Sequence, residues 1–230
     1  GRPPALDPRG RSALVALAGV MGNAVLCEYR STRPRWNDLE CEPHEVRLAA
    51  TEILSVAGMT GYHTSVLIDD REYFFDSLGI MAAPLLASHV AGQAKRADAK
   101  TDIIEIGRSS CSGNALVRAL HAHFEKGSYD IFFKNCNSFS DAALYFLTKT
   151  RLTGCYNRIE RFITATSPVS TDLLNRLFRA FLEKKTGTPC EDNIYMTNPV
   201  AEGFSVEDVI ASLEENDTDS EHSDSGSECR

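Results

Sequence analysis

The chain has 230 residues, 43% hydrophobic and 24% charged, which is ordinary for a globular protein and enough for one sizeable core. Its 32 acidic and 24 basic side chains leave a formal charge of -8, which works against nonspecific capture of nucleic acid. Seven cysteines form an odd, scattered set with no CxxC pair and no Cys/His spacing of a zinc site. They indicate neither a disulfide framework nor a metal module, and a reducing, intracellular compartment is their simplest setting.

Residues 1–42, rich in Arg, Pro and Gly, are expected to be a flexible N-terminal arm. The run Ala13 to Cys27 resembles a signal-peptide core, but Gly19, Gly22 and Asn23 interrupt it and it is too short to cross a bilayer. Translation from Met21 would instead present Gly22 for myristoylation and Cys27 for palmitoylation, two acyl groups that together anchor a protein to a membrane. Leu26 stands where that pattern prefers Ser or Thr. Trp36 is read as a partner or core contact.

Residues 43–165 carry the periodic patterns of a folded domain. The segment Glu45 to Leu54 starts with strand alternation. Thr64 to Ile68, the polar pair Asp69-Asp70 and Glu72 to Phe75 predict a β-hairpin, with His63 at the mouth of its first strand. Met81 to Lys100, alanine-rich and broken by Pro84 and Gly92, yields no conformation from pattern alone. Thr101 to Ile106 predicts a further strand, and Ser112 caps a helix that turns Leu116, Leu120 and Phe124 inward and ends at Gly127. Tyr129 to Phe133 is an aromatic and branched run of strand character. A helix follows, with Phe139, Ala142, Ala143, Phe146 and Leu147 on one face.

Beyond the domain, residues 166–204 are expected to supply a docking helix, with an apolar stripe of Leu173, Leu174, Leu177, Phe178, Phe181 and Leu182, and then a loop. Residues 205–230 start as a short amphipathic helix through Val206, Val209, Ile210 and Leu213. They continue as an acidic tail too poor in apolar groups to fold. Ser220, Ser223 and Ser225 within it are candidate phosphorylation sites.

Cys136 is the residue with the strongest chemical setting. Asn137, Ser138 and Ser140 are good helix-capping residues, so the thiol sits close to a helix N-terminus. Free amides and the positive end of the helix dipole there can bring a cysteine pKa down to roughly 3.5–7.5. His63, held on a strand, is the candidate proton acceptor. Read without further knowledge, such a cysteine is more often an inert core residue and such a histidine more often a partly buried structural one; the helix-cap chemistry around Cys136 raises both. His121 and His123, two apart on a helix, point apart and make poor joint ligands, while Cys111 and Cys155 are taken as packing residues.

The segments Gly61-Tyr62-His63-Thr64-Ser65-Val66, Arg71-Glu72-Tyr73-Phe74-Phe75, Gly79-Ile80, Tyr129 through Phe139 and Leu144-Tyr145-Phe146-Leu147 resemble the PPPDE family of permuted papain-fold thiol peptidases. Gly154-Cys155-Tyr156-Asn157-Arg158 is similar to the stretch that follows that family's cysteine helix. The resemblance spans roughly Val46 to Arg161 and implies an α+β fold, a small mainly antiparallel sheet packed with helices. It implies Cys136 as nucleophile and His63 as base of a Cys-His dyad, with no metal or organic cofactor. The implied activity is cleavage of ubiquitin or a ubiquitin-like, SUMO-like modifier from protein lysines through a thioester, in the cytoplasm or nucleus. An acyl-protein thioesterase or acyltransferase using the same dyad, and a catalytically silent modifier-binding module, stay open, as does a homodimer. The opening strand and the turn after Phe75 depart from the family pattern, which touches substrate identity more than chemistry.

Overall fold

The computed structural model describes residues 43–56, 59–90, 100–167, 169, 171–173, 175–176, 179, 183 and 195–222. Five strands, β1 (His44–Val56), β2 (Met59–Ile68), β3 (Arg71–Asp76), β4 (Gly79–Pro84) and β5 (Thr101–Ser109), form one sheet in the order β4-β3-β2-β1-β5. Every neighbouring pair is antiparallel. Among the described residues, helices α1 (Gly113–Leu120), α2 (Cys136–Thr148), α3 (Arg158–Thr166) and α4 (Val206–His222) accompany it, with a 3-10 turn at Pro199–Ala201. The protein is therefore an α+β fold in which helices pack on an antiparallel sheet.

Strand alternation sorts the sheet into two faces. Val46, Leu48, Val66, Ile68, Tyr73 and Phe75 face one side and pack with Leu116, Leu120, Phe124, Phe139, Ala142, Ala143, Leu147, Val209 and Leu213 into the main core. Gly113, at the start of α1, lets Tyr73 approach so closely that a Cβ would meet its hydroxyl oxygen at 2.0 Å. Arg151 ties α4 to α2, with Nε 2.8 Å from Asp141 Oδ1 and Nη2 2.8 Å from Glu207 Oε1.

The expected hairpin is present, with Val66 opposite Tyr73 and Asp69-Asp70 in the turn. His63 lies within β2 rather than opening it, because the strand extends back to Met59 in register with Val56. Ser112 caps α1 as expected, its Oγ accepting from the Ala115 amide, but the helix ends at Leu120, well before Gly127. Phe124 nonetheless reaches the core from the turns that follow.

Tyr129 to Phe133 is a turn, not a strand. The Asp130 carboxylate captures the amides of Phe132 and Phe133 at 2.8 and 2.9 Å, which curls the chain, and Asp130 and Lys134 close the turn with a two-way backbone bridge. Local side-chain bonding here defeats the strand propensity of the aromatic run. The same carboxylate accepts from the Tyr195 hydroxyl at 2.9 Å and from the Asn198 amide at 2.8 Å. At the far end, α4 continues into the acidic stretch to His222, beyond its apolar face of Val209, Ile210 and Leu213.

The arm, including Met21, Gly22, Cys27 and Trp36, lies outside the described residues, as do Ser223 and Ser225 and most of the Thr171–Lys185 stripe. Among the described residues no helix is long and apolar enough to cross a membrane.

Replacing Asp130 should therefore loosen the approach to α2. Asp130→Ala leaves several buried donors unpaired and is expected to lower the unfolding free energy by roughly 2–5 kcal/mol in urea titrations. Asp130→Asn, which keeps an acceptor, should cost less.

Candidate active site

Cys136 is the first residue of α2, and Asn135 is its N-cap. The Asn135 side-chain oxygen accepts from the amides of Asn137 at 2.9 Å and Ser138 at 3.0 Å. Ser138 Oγ lies 3.4 Å from the Asn135 amide and completes a capping box. Asn135 Nδ2 is spent on the Ile131 carbonyl and Glu160. Its side chain thus builds the helix start and is committed away from an oxyanion, whereas the Cys136 amide is turned toward its own sulfur.

The sheet makes room for this helix end. β2 pairs with β3 only from Val66 to Ile68, so the first half of β2 has no strand on that side. The N-terminal turn of α2 fills the gap, where the Thr64 amide lies near enough to the Cys136 sulfur to favour its thiolate form. Asn137 secures the seam, with Nδ2 2.6 Å from Glu160 Oε1, 3.0 Å from the Tyr156 carbonyl and 3.1 Å from the Tyr62 carbonyl. Thr64 Oγ1 lies 2.8 Å from Asn137 Oδ1. These bonds fix the thiol beside the backbone of the residue that follows His63.

His63 points, by alternation, to the sheet face opposite Thr64. Its Nε2 is 2.7 Å from Ser88 Oγ, and its Nδ1 is buried with no hydrogen-bond partner. The Cys136 sulfur makes its own weak contact with Asn137 Oδ1 at 3.9 Å, and no hydrogen bond joins it to the imidazole. Cys136 thus lies against the backbone of Thr64, the residue after His63, and Nδ1 is the imidazole nitrogen left without a partner.

Burial governs the electrostatics. Cys136 is 4% and His63 2% exposed. Burial pushes the thiol up to about 12, with the nearby Glu160 carboxylate adding to it and the Thr64 amide opposing. Burial alone lowers His63 to about 4. The expected depression of the thiol pKa by the helix end is thus reversed here, because loss of water outweighs the amides and dipole. Both groups rest uncharged at neutral pH.

Behind His63 lies a polar cluster that no motif announced. Ser88 and His89 follow β4 in a turn, and Glu72 projects from β3; all three are buried. His89 Nε2 is 2.9 Å from Ser65 Oγ, and its Nδ1 is 2.7 Å from Thr51 Oγ1, which in turn meets Thr101 Oγ1 at 2.6 Å. Ring nitrogens of His63 and His89 and a Glu72 oxygen lie within 4.8 Å of one another, the set among the described residues best able to approach a cation. Hydrogen bonds through Ser65 and Ser88 already join these groups. Glu72 was legible only as a charged residue inside an aromatic strand, and Ser88-His89 carried no signal at all.

Among the described residues Cys111, Cys136 and Cys155 are free thiols. A cavity of about 370 Å³ flanked by Phe132, Asn135, Asn137, Glu160 and Phe204 lies beside the same helix end, but neither Cys136 nor His63 lines it.

The sequence model of the PPPDE putative peptidase domain matches residues 37–177, and the chain belongs to this family of cysteine peptidases. No curated protein matches the chain.

The two depressed imidazoles make stability acid-sensitive. His63 is held to about 4 and His89 to about 2, while the unfolded chain takes up both protons near 6.5. Stability is therefore full above pH 6.5 and falls as pH drops toward the folded values, by up to about 2 kcal/mol per imidazole between pH 6.5 and 5. The Glu72 carboxyl, raised by burial, acts in the opposite sense. The comparison is accordingly wild type against His89→Gln: urea unfolding at pH 7 and pH 5 should show a smaller loss in the variant, by about 2 kcal/mol.

Proposed function

We propose that the protein is a thiol isopeptidase that removes ubiquitin or a ubiquitin-like modifier from protein lysines. The observation that carries this reading is the seating of Cys136 at the first turn of α2, against the amide of the residue following His63. It joins the family membership, and the order His63 before Cys136 along the chain is the one that the motif resemblance implies for the dyad.

In the proposed reaction the Cys136 sulfur attacks the carbonyl carbon of the isopeptide bond while His63 Nδ1 takes the thiol proton. The Cys136 amide stabilises the oxyanion. Collapse of the tetrahedral adduct expels the lysine amine, which takes the proton back from His63, and leaves a thioester between Cys136 and the modifier C-terminus. Water, deprotonated by His63, then attacks the thioester, releasing the modifier carboxylate and restoring the thiol. The chemistry uses groups of the chain and water alone.

Neutral resting forms of both residues fit a mechanism in which the proton moves as the carbonyl is attacked. The covered site suits a substrate that brings a slender extended tail to the thiol, as the C-terminus of a ubiquitin-like modifier does. An acyl thioester on a protein cysteine could be cleaved by the same dyad.

Electrophilic probes built on the C-termini of ubiquitin and of ubiquitin-like modifiers decide the matter, with adducts weighed by mass spectrometry. Wild type should form an adduct, Cys136→Ala none, and His63→Ala should react at least about tenfold more slowly. Labelling by an acyl-thioester probe and by no modifier probe would transfer the reading to thioester cleavage. Inertness toward both would remove the enzyme reading.

A further inference from the structure

The direction of the hydrogen bonds behind His63 can be read from a count of protons. Glu72 is the acceptor hub. Its carboxylate receives the Ser88 hydroxyl and the Ser88 amide at 3.1 Å, and the Ser65 hydroxyl and the Ala87 amide lie near enough to favour its ionised form. A hydroxyl has one hydrogen. With that hydrogen given to Glu72, Ser88 Oγ can only accept from His63 at their 2.7 Å separation. His63 Nε2 must then carry the hydrogen, and the proton-free nitrogen is Nδ1, the atom the structure leaves buried and unpartnered.

The second branch runs the same way. His89 Nε2 faces both Ser65 Oγ at 2.9 Å and the Glu72 carboxylate, which suits an N–H there and leaves His89 Nδ1 to accept from the Thr51 hydroxyl at 2.7 Å. Both chains of donors run toward one carboxylate. His89 Nε2 also lies 3.4 Å from a Glu72 oxygen and braces it from the side. His63 is itself ionisable, and its ring centroid is 4.7 Å from that of His89.

We propose that Glu72, acting through the Ser88 hydroxyl, is a positioning residue for His63: it fixes the Nε2–H tautomer, so that Nδ1 is bare and can serve as the base for Cys136. This rests on the thiol-hydrolase reading above and adds two residues to it. The device differs from a carboxylate bonded directly to the imidazole, since a serine hydroxyl stands between them and transmits only the direction of the hydrogen bond. When His63 gains a proton at Nδ1, its Nε2–H strengthens its bond to Ser88, and Glu72 stabilises the imidazolium across that hydroxyl. A neutral amide at position 72 can instead donate toward Ser88. The Ser88 hydroxyl then turns to His63 Nε2, and the hydrogen moves to Nδ1, where it blocks the base.

The test reads the tautomer and the thiol separately on the full chain. Long-range nitrogen–proton NMR spectra at pH 7, assigned with His63→Gln, should show His63 protonated at Nε2 in wild type. Ser88→Ala should lose that preference, Glu72→Gln should invert it, and Ser88→Thr, which keeps the hydroxyl, should retain it. In parallel, alkylation of Cys136 by iodoacetamide, followed by peptide mass spectrometry, should slow at least about tenfold in His63→Gln, Ser88→Ala and Glu72→Gln and stay near wild type in Ser88→Thr. If His63→Gln slows alkylation while Ser88→Ala leaves both the rate and the tautomer unchanged, the positioning role is overturned and the dyad stands. If His63→Gln leaves alkylation unchanged, the dyad itself fails. Should Glu72→Gln not fold, Ser88→Ala, a small truncation, decides alone.

Discussion

The site depends on where β2 parts from β3. Beyond Val66 and Tyr73 the two strands no longer pair, so the outward backbone groups of the first half of β2 need partners other than a strand. The first turn of α2 supplies them, and that turn begins with Cys136. A helix that must dock by its N-terminus has to have its own amides satisfied as well. Asn135 does this from the cap, while Asn137 reaches three acceptors on β2, α3 and the segment between α2 and α3. The thiol is delivered to the sheet as a consequence of completing an interrupted ladder.

That constraint explains why some features were readable in advance and others were not. The hairpin, the strand at Thr101, the cap at Ser112 and the helix start at Cys136 follow from local spacing and side-chain chemistry and were legible, although the N-cap is Asn135 and not Asn137, Ser138 or Ser140. His63 and Cys136 were nominated by a motif resemblance; the structure places His63 within β2 and Cys136 at the first turn of α2, against the backbone of Thr64. Tyr129 to Phe133 misled because its residues favour strands, while one carboxylate, Asp130, binds two amides and bends them. The direction of the Cys136 pKa also escaped. Helix-end stabilisation can be inferred from sequence, whereas the degree of burial that overrides it is a property of the assembled core.

Ser88 and His89 mark the limit of reading by pattern. They occupy a turn after β4 in a stretch whose sequence indicates no element, and they matter through partners on β1, β2 and β3 that are distant in the chain. Glu72 is the exception, since a carboxylate inside an aromatic strand is costly unless something satisfies it. The conflict between its charge and its surroundings was visible, but the donors that resolve it were not. Local inconsistencies of this kind tend to fall at functional positions.

The resting electrostatics set a demand on any substrate. Moving a proton from a thiol near 12 to an imidazole near 4 costs on the order of 10 kcal/mol before the two product charges attract each other. A preformed thiolate–imidazolium pair is therefore scarcely populated while both groups are covered, and Cys136 rests as a thiol shielded from solvent. Attraction between the ions, the line of hydroxyl and carboxylate behind His63, and the amides around the sulfur each recover part of that cost. The remainder has to come from bond formation to a carbonyl carbon and from readmission of polar groups when substrate enters. Reactivity in this arrangement is conditional on occupancy, which would confine the chemistry of Cys136 to ligands able to reach the edge of β2.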